Sequence, residues 1–220
     1  MKLAALVPMR HDSERVPGKN YRPFNGIPLF YHIISTLLEC PLIEKIVIDT
    51  DSPIIISEVK KSFKDIILLN RPKHLISGDV PMNDIINYDV SQVEADFYLQ
   101  THSTNPLLTS KTISKAINHF IQNERLYDSL FTVTKMHKRF WDSQIRPVNH
   151  NPDELLRTQD LEPLFEENSC MYIFKKETIA NYGNRIGKHP CMFEINAEEA
   201  WDIDEELDFE IIEFLLKKKE

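Results

Sequence analysis

The stretch LAALVPMRHDSERVPGKN (3–20) decides how the rest of the chain is read. Its opening, LAALVP (3–8), is a continuous apolar run of strand length, the pattern of a strand covered on both faces. Its second half is a loop that carries Arg10, Ser13, Arg15 and Lys19 within ten residues. So much charge in a loop ordinarily marks a solvated turn. Two features oppose that reading. The loop follows a buried strand directly, and VPGKN (16–20) forces a tight reversal that aims Lys19 and Asn20 back at the sheet edge.

Outward from this stretch, strands and helices alternate. KIVIDTD (45–51), DIILLN (65–70), ADFYLQ (95–100) and DSLFTVTK (128–135) read as strands. IPLFYHIISTLLE (27–39), PIIISEVKKSF (53–63), PMNDIINYDVSQV (81–93) and the segment opened by Ser110 read as helices. This alternation argues an α/β fold with a mostly parallel, twisted sheet, right-handed crossovers and helices on both faces. SCMYIFKK (169–176) and CMFEIN (191–196) are later strands. EELDFEIIEFLLKKK (205–219) closes the chain as an amphipathic helix with Leu207, Ile211, Ile212, Leu215 and Leu216 at helical spacing. Residues 136–169 break the rhythm with three prolines and little periodicity. They are expected to form a lid or dimerisation arm inserted in a single domain spanning 1–220.

With 220 residues, 42% hydrophobic and 27% charged, the composition is that of an ordinary globular domain. The net charge of −8 argues against a nucleic-acid partner, so any anion site is a local basic patch. Cys40, Cys170 and Cys191 are odd in number and widely spaced, which argues against a disulfide framework or zinc knuckle. The short apolar run before Arg10 does not read as a signal peptide, and no run reaches transmembrane length. No membrane association and a cytoplasmic location are expected.

In open α/β sheets ligands sit beyond the carboxyl ends of the strands. There the four strands present the Arg10–Lys19 loop, Asp49 and Asp51, Asn70 and Arg71, and Gln100, Thr101, Ser103 and Thr104. This net-basic rim suits a polyphosphate. Neither GxxxxGK[ST] nor GxGxxG is present, which disfavours P-loop and dinucleotide-binding enzymes. Asp202 and Asp204 in WDIDEE lie at i and i+2, so an extended backbone puts both carboxylates on one face, an arrangement that fits Mg²⁺. Locally, helix capping competes: either Asp could be the N-cap, with Asp202 and Glu205 in D-x-x-E spacing. Asp51 before Ser52-Pro53 reads as a helix cap. His11 and His102 lie on the rim; Trp141, Tyr172 and Phe174 read as packing residues.

LVPMRHDSERVPGKNYRPFNGIPLFYHII (6–34) resembles the opening signature of the CMP-N-acylneuraminate synthetase, or acylneuraminate cytidylyltransferase, family. Arg10, Ser13, Arg15, Pro17, Lys19, Asn20, Gly26, Pro28 and Leu29 fall on that pattern, while Met9, His11 and Asp12 replace smaller residues. The likeness continues in order through IVIDTDS, NRPKHLISGDVPMNDII, LQTHSTNPLL, LLRTQDLEPLFEENSCMYIF, with Ser169 where Gly is usual, and AWDIDEELDF. It implies a Rossmann-like nucleotide-diphospho-sugar transferase fold. It further implies transfer of CMP from CTP to a 2-keto-3-deoxy sugar acid of the sialic-acid type, with release of pyrophosphate. Arg10, Ser13, Arg15 and Lys19 would hold the triphosphate; Asn20, Arg71 and Asn83 the cytidine; Gln100 the sugar. Asp202 and Asp204 would hold Mg²⁺. Lys138, Arg139 and Arg157 are candidate partners of the sugar carboxylate, and a homodimer is implied. Alternatives are a 3-deoxy-manno-octulosonate cytidylyltransferase, disfavoured by LQTHSTNP after the fourth strand, another sugar nucleotidyltransferase, or a non-catalytic nucleotide-binding module.

Overall fold

The structure is a computed structural model that describes residues 2–218. A seven-stranded sheet runs through it. Its strands are β1 (Leu3–Met9), β4 (Lys45–Thr50), β5 (Ile66–Asn70), β6 (Phe97–Thr101), β7 (Ser129–Met136), β8 (Leu164–Lys175) and β9 (Pro190–Glu194). The spatial order is β5-β4-β1-β6-β8-β7-β9. All neighbours are parallel except β8, which runs antiparallel to both β6 and β7. The expected mostly parallel α/β sheet is therefore present.

β1 lies inside the sheet, between β4 and β6, and all seven of its residues are buried, because both faces are covered. Leu3, Ala5, Val7 and Met9 pack against α1 (Leu29–Leu38), α2 (Pro53–Ser62) and α4 (Ser110–Gln122). Ala4 and Leu6 pack on the opposite face, with α3 (Met82–Gln92) and α5 (Lys176–Tyr182). Alternation along one strand thus feeds two cores, and the apolar run has no polar beat. A third cluster joins Val16 of the first loop to Phe209 and Ile212 of α6 (Glu206–Lys217) through Phe24, Leu29, Leu107 and Ile203.

Several boundaries differ from the sequence reading, each for a physical reason. The helix expected from Ile27 starts at Leu29. Ile27–Pro28 (β3) instead pairs with Pro23–Phe24 (β2) across the two-residue turn Asn25-Gly26, where both residues have positive φ. Leu207 is 64% exposed, so the apolar stripe of α6 begins at Phe209. Ser52, not Asp51, caps α2, its hydroxyl accepting from the Ile55 N–H. Neither Asp202 nor Asp204 caps α6: Glu205 is the N-cap and Asp208 completes the capping box. β8 begins at Leu164, inside the stretch read as an excursion. The irregular part is 137–163, with one bridge between Trp141 and Pro147 and a 3₁₀ turn at Thr158–Asp160.

Glu199 ties the segment before α6 to the sheet. Its carboxylate accepts from the Thr109 N–H at 3.1 Å, the Thr109 hydroxyl at 2.5 Å and the Thr112 hydroxyl at 2.6 Å, at the positive end of α4. Glu199→Ala removes a buried carboxylate and leaves these donors at the start of α4 without their acceptor. It is expected to lower unfolding free energy by roughly 2 kcal/mol, read from the urea midpoint at unchanged slope. A shift under a few tenths of a kcal/mol would make the contact incidental.

Candidate active site

A cavity of about 440 Å³ opens at the carboxyl ends of β1 and β6. The first loop forms one wall with Arg10, Ser13, Arg15, Lys19 and Asn20. Ile76, Ser77, Gly78 and Val80 form a second wall. That wall lies so close that a Cβ on Gly78 would fall 2.8 Å from an Arg10 guanidinium nitrogen. Arg71, His102, Ser103, Thr104, Ser169, Arg185, Asp202 and Asp204 complete the lining. A neighbouring cavity of about 610 Å³ shares Ser169, Asp202 and Asp204 and is also lined by Thr134, Lys138, Glu166, Glu167 and Trp201.

The first loop is held as its sequence foretold. The turn closes through the Lys19 N–H donating to the Val16 carbonyl at 3.2 Å, with Gly18 at φ +67. A Cβ at Gly18 would stand 2.9 Å from the Tyr21 ring, so only glycine fits there. Asn20 is buried, its amide donating to the Arg10 carbonyl at 2.9 Å and its oxygen accepting from Ser103 at 2.6 Å. Both ends of this side chain are used to shape the loop. Lys19 donates to the Ile203 carbonyl at 2.6 Å and stands 3.9 Å from Asp204. Burial lowers its pKa, against the pull of Asp202 and Asp204. Arg15 contacts Asp204 at 2.5 Å and Glu205 at 3.5 Å in a half-exposed setting.

The segment 201–204 is latched to the end of β6. The Ile203 N–H donates to the Thr104 carbonyl at 3.0 Å, and Asn105 donates to the Trp201 carbonyl at 3.2 Å. Asp202 and Asp204 consequently line the same cavity. Burial raises the pKa of Asp202, opposed by Thr104 and Lys19, and one of its carboxylate oxygens is buried with no hydrogen-bond partner. Among the described residues no three His, Cys, Asp or Glu side chains converge as a ready metal site. Two oxygen-donor carboxylates, one with an unsatisfied atom, fit a hard cation whose remaining positions are filled by phosphate and water.

His11 and Asp12 do not line the cavity. His11 stacks on Tyr21 at 5.2 Å, its Nδ1 lies 2.9 Å from the Ser52 hydroxyl, and its N–H donates to Asp51 at 2.7 Å. The residue that replaces a smaller one thus fastens the loop to the start of α2. Gln100 is fully buried below the cavity, its amide 2.9 Å from His102 Nε2. Asn83 is turned toward Asn184 and the Arg185 N–H, away from the lining. Arg157 pairs with Asp160, and Arg139 donates to the Leu156 carbonyl; neither lines either cavity.

The sequence reading missed Asp89, Arg185, Ser77 and Gly78. Asp89 had a visible signal: it falls on the buried stripe of α3 with Ile85, Ile86 and Val90. Arg71 donates to the Asp49 carboxylate at 2.9 Å and to the Asp49 carbonyl at 3.2 Å, with both side chains almost wholly buried. Burial raises the pKa of both Asp49 and Asp89, and Arg71 opposes this most directly at Asp49. The proton therefore rests on Asp89, whose pKa is pushed up to about 9 by burial and by Asp49. His102 is pushed down to about 4 by burial, Arg185 and Lys19, so its ring is neutral.

A profile of the cytidylyltransferase family matches residues 4–220. The chain belongs to this family. It is a nucleotidyltransferase. It is 27% identical to post-translational flagellin modification protein B of Campylobacter coli, over 96% of this chain and 93% of that one. It is 23% identical to the pseudaminic acid cytidylyltransferase of Campylobacter jejuni, over 99% and 97%. The N-acylneuraminate cytidylyltransferase A of Danio rerio is 25% identical over 96% of this chain, which spans about half of that protein's length. Among solved structures, a CMP:2-keto-3-deoxy-manno-octonic acid synthetase complexed with CTP superposes with a TM-score of 0.73 over 100% of both chains at 14% identity. The 4-diphosphocytidyl-2C-methyl-D-erythritol synthase of Anaerococcus prevotii reaches 0.68 at 12% identity, over 98% of this chain and 96% of that one. These two likenesses are of fold.

The Asp89 carboxyl makes the cytidylyltransferase's stability depend on pH. Its folded pKa, about 9, lies above the ordinary 3.8. The contribution of Asp89 to stability is complete below about pH 4 and is lost as pH rises toward 9, because only the unfolded chain gives up this proton in that window. Asp89→Asn keeps a neutral group of the same shape. The variant should hold its unfolding temperature between pH 4 and 9 relative to the wild type, whose temperature falls. Parallel curves in thermal scans across that range would show Asp89 ionised.

Proposed function

We propose that the enzyme transfers CMP from CTP to the anomeric hydroxyl of a nonulosonic acid of the sialic or pseudaminic type. The observation that carries this reading is the meeting of Arg10, Arg15 and Lys19 with Asp202 and Asp204 around one cavity. The Campylobacter jejuni and Danio rerio relatives support the acceptor class. In the reaction the hydroxyl oxygen bonds to the α-phosphorus, the bond to the pyrophosphate oxygen breaks, and the hydroxyl proton leaves to water. His102, neutral with a pKa near 4, is a poor proton acceptor at neutral pH.

The chain's own part is positioning and charge. Arg10 and Lys19, with Arg15 above them, hold phosphate oxygens, and Ser13 adds a hydroxyl on the same wall. Arg71, fixed by Asp49, faces the nucleoside end without adding net charge. Asp202 and Asp204 would hold Mg²⁺, which supplies charge neutralisation on the triphosphate when bound. Trp141, Ile145, Val148 and Leu155 expose apolar surface on the segment 137–163, which supports a homodimer built through it.

Pyrophosphate release from CTP should require Mg²⁺ and a nonulosonic acid such as N-acetylneuraminic or pseudaminic acid. Release with an octulosonic acid alone would reassign the acceptor, and CTP binding by calorimetry without any turnover would make the protein a nucleotide-binding module. Lys19→Ala should lower kcat by roughly 10²- to 10³-fold, the scale of one lost electrostatic donor. Unchanged kinetics would remove Lys19 from the chemistry.

A further inference from the structure

Arg185 is a cavity-lining cation that no recognised motif contains. It lies in the loop after α5, two residues past Gly183, which ends that helix in the left-handed conformation. Its guanidinium carbon sits 3.9 Å from the centre of the Tyr172 ring. The Tyr172 hydroxyl is held in turn by Glu167 at 2.5 Å and lies 3.1 Å from the Ser169 hydroxyl. The Arg185 backbone is fastened by Asn83, which accepts from its N–H at 3.4 Å. The guanidinium is thus fixed in place, yet its Nη1 is buried without a hydrogen-bond partner.

Among the described residues Arg10 also lines the cavity without an ion pair, but it belongs to the loop over β1 that is read as holding phosphate; the remaining arginines of the cavity wall have carboxylate partners. Arg71 is bound to Asp49, Arg15 to Asp204 and Glu205, and Arg157 to Asp160. Among the described residues Arg185 has no carboxylate within 4 Å. A buried donor with an unmatched charge is costly unless something completes it. Its position says what. Arg10, Arg15 and Lys19 stand over β1, whereas Arg185 stands over β8, two strands away across β6. At about 4.8 Å per strand, that is about 10 Å from the phosphate-holding loop. On the reading of the function given above, that is the side left for the acceptor. There a planar fork with a free N–H edge matches a carboxylate.

We propose that Arg185 binds the carboxylate of the sugar acid and so selects acids over neutral sugars, a role that rests on the reading of the acceptor given above. Tyr172 acts as the platform that fixes the guanidinium. Lys138, which lines the neighbouring cavity along with Glu166 and Glu167, is left to contact the rest of the sugar.

The test compares wild type, Arg185→Met and Arg185→Lys on N-acetylneuraminic acid, pseudaminic acid and their methyl esters, with CTP affinity measured by calorimetry in parallel. Arg185→Met is expected to raise KM for the free acid by roughly 10- to 100-fold, to leave the CTP dissociation constant within about twofold, and to erase the preference for acid over ester. Arg185→Lys should recover part of that preference, and it carries the same comparison if the Met variant fails to fold. A loss of CTP affinity with the acid-over-ester preference intact would assign Arg185 to the nucleotide and overturn the proposal, as would unchanged KM and preference. A wild type inactive on every acid would sink the functional reading, and this inference with it.

Discussion

Lys19 and the Ile203 carbonyl, 2.6 Å apart, join the two ends of the chain at the site. The loop that carries the cations lies near residue 15 and the carboxylates near residue 203. Neither group is stable there alone. Lys19 is largely buried, and its charge is tolerated because Asp202 and Asp204 stand nearby. Asp202 is buried as well, and Lys19 lowers the cost of its charge. The third hydrophobic cluster, which joins Val16 to Ile203, Phe209 and Ile212, holds the two segments in register. Most of the surrounding architecture brings these opposite charges together without neutralising them completely. That balance leaves room for a polyanion and a cation to bind together.

The loop achieves this without a row of glycine amides. Gly18 is needed for its conformation and its closeness to Tyr21, while Gly78 lies against the tip of the Arg10 side chain on the opposite wall. The donors themselves are side chains, which must be anchored to be useful. Asn20 and His11 serve as anchors, one to the end of β6 through Ser103 and the other to the start of α2 through Ser52. The histidine that stands out in the sequence is therefore structural glue for the loop.

Much of this was legible in the sequence. The unbroken apolar runs of β1, β4 and β6 announced a sheet covered on both sides, and the Asp202–Asp204 spacing announced a shared face. Strand order was not legible. β8 slips in antiparallel between β6 and β7, and nothing local in SCMYIFKK encodes its neighbours. The α6 cap was misread because three acids in a row offer equivalent capping patterns, and only the backbone angles select Glu205. Gln100 and Asn83 sit where the motifs put them, but burial and a neighbouring amide turn them from the cavity. Arg185 carries no periodic or motif signal at all; it becomes visible only when α5 folds back over β8.

Ser169 connects these points. It occupies a position of φ +58, in the left-handed region that favours glycine, at the irregularity where β8 loses register with β7. A side chain there costs about 1–2 kcal/mol. The irregularity is pinned by Thr132 and Asn168, whose side chains bond to each other at 2.7 Å, and Thr132 also accepts from the Met171 N–H. What the serine adds that glycine cannot is a hydroxyl beside Tyr172, on the wall common to both cavities. Tyr172 in turn carries the Arg185 guanidinium. The departure from glycine and the unpaired arginine are thus parts of one assembly. The strained Ser169 and the Arg185 guanidinium meet at one ring, that of Tyr172.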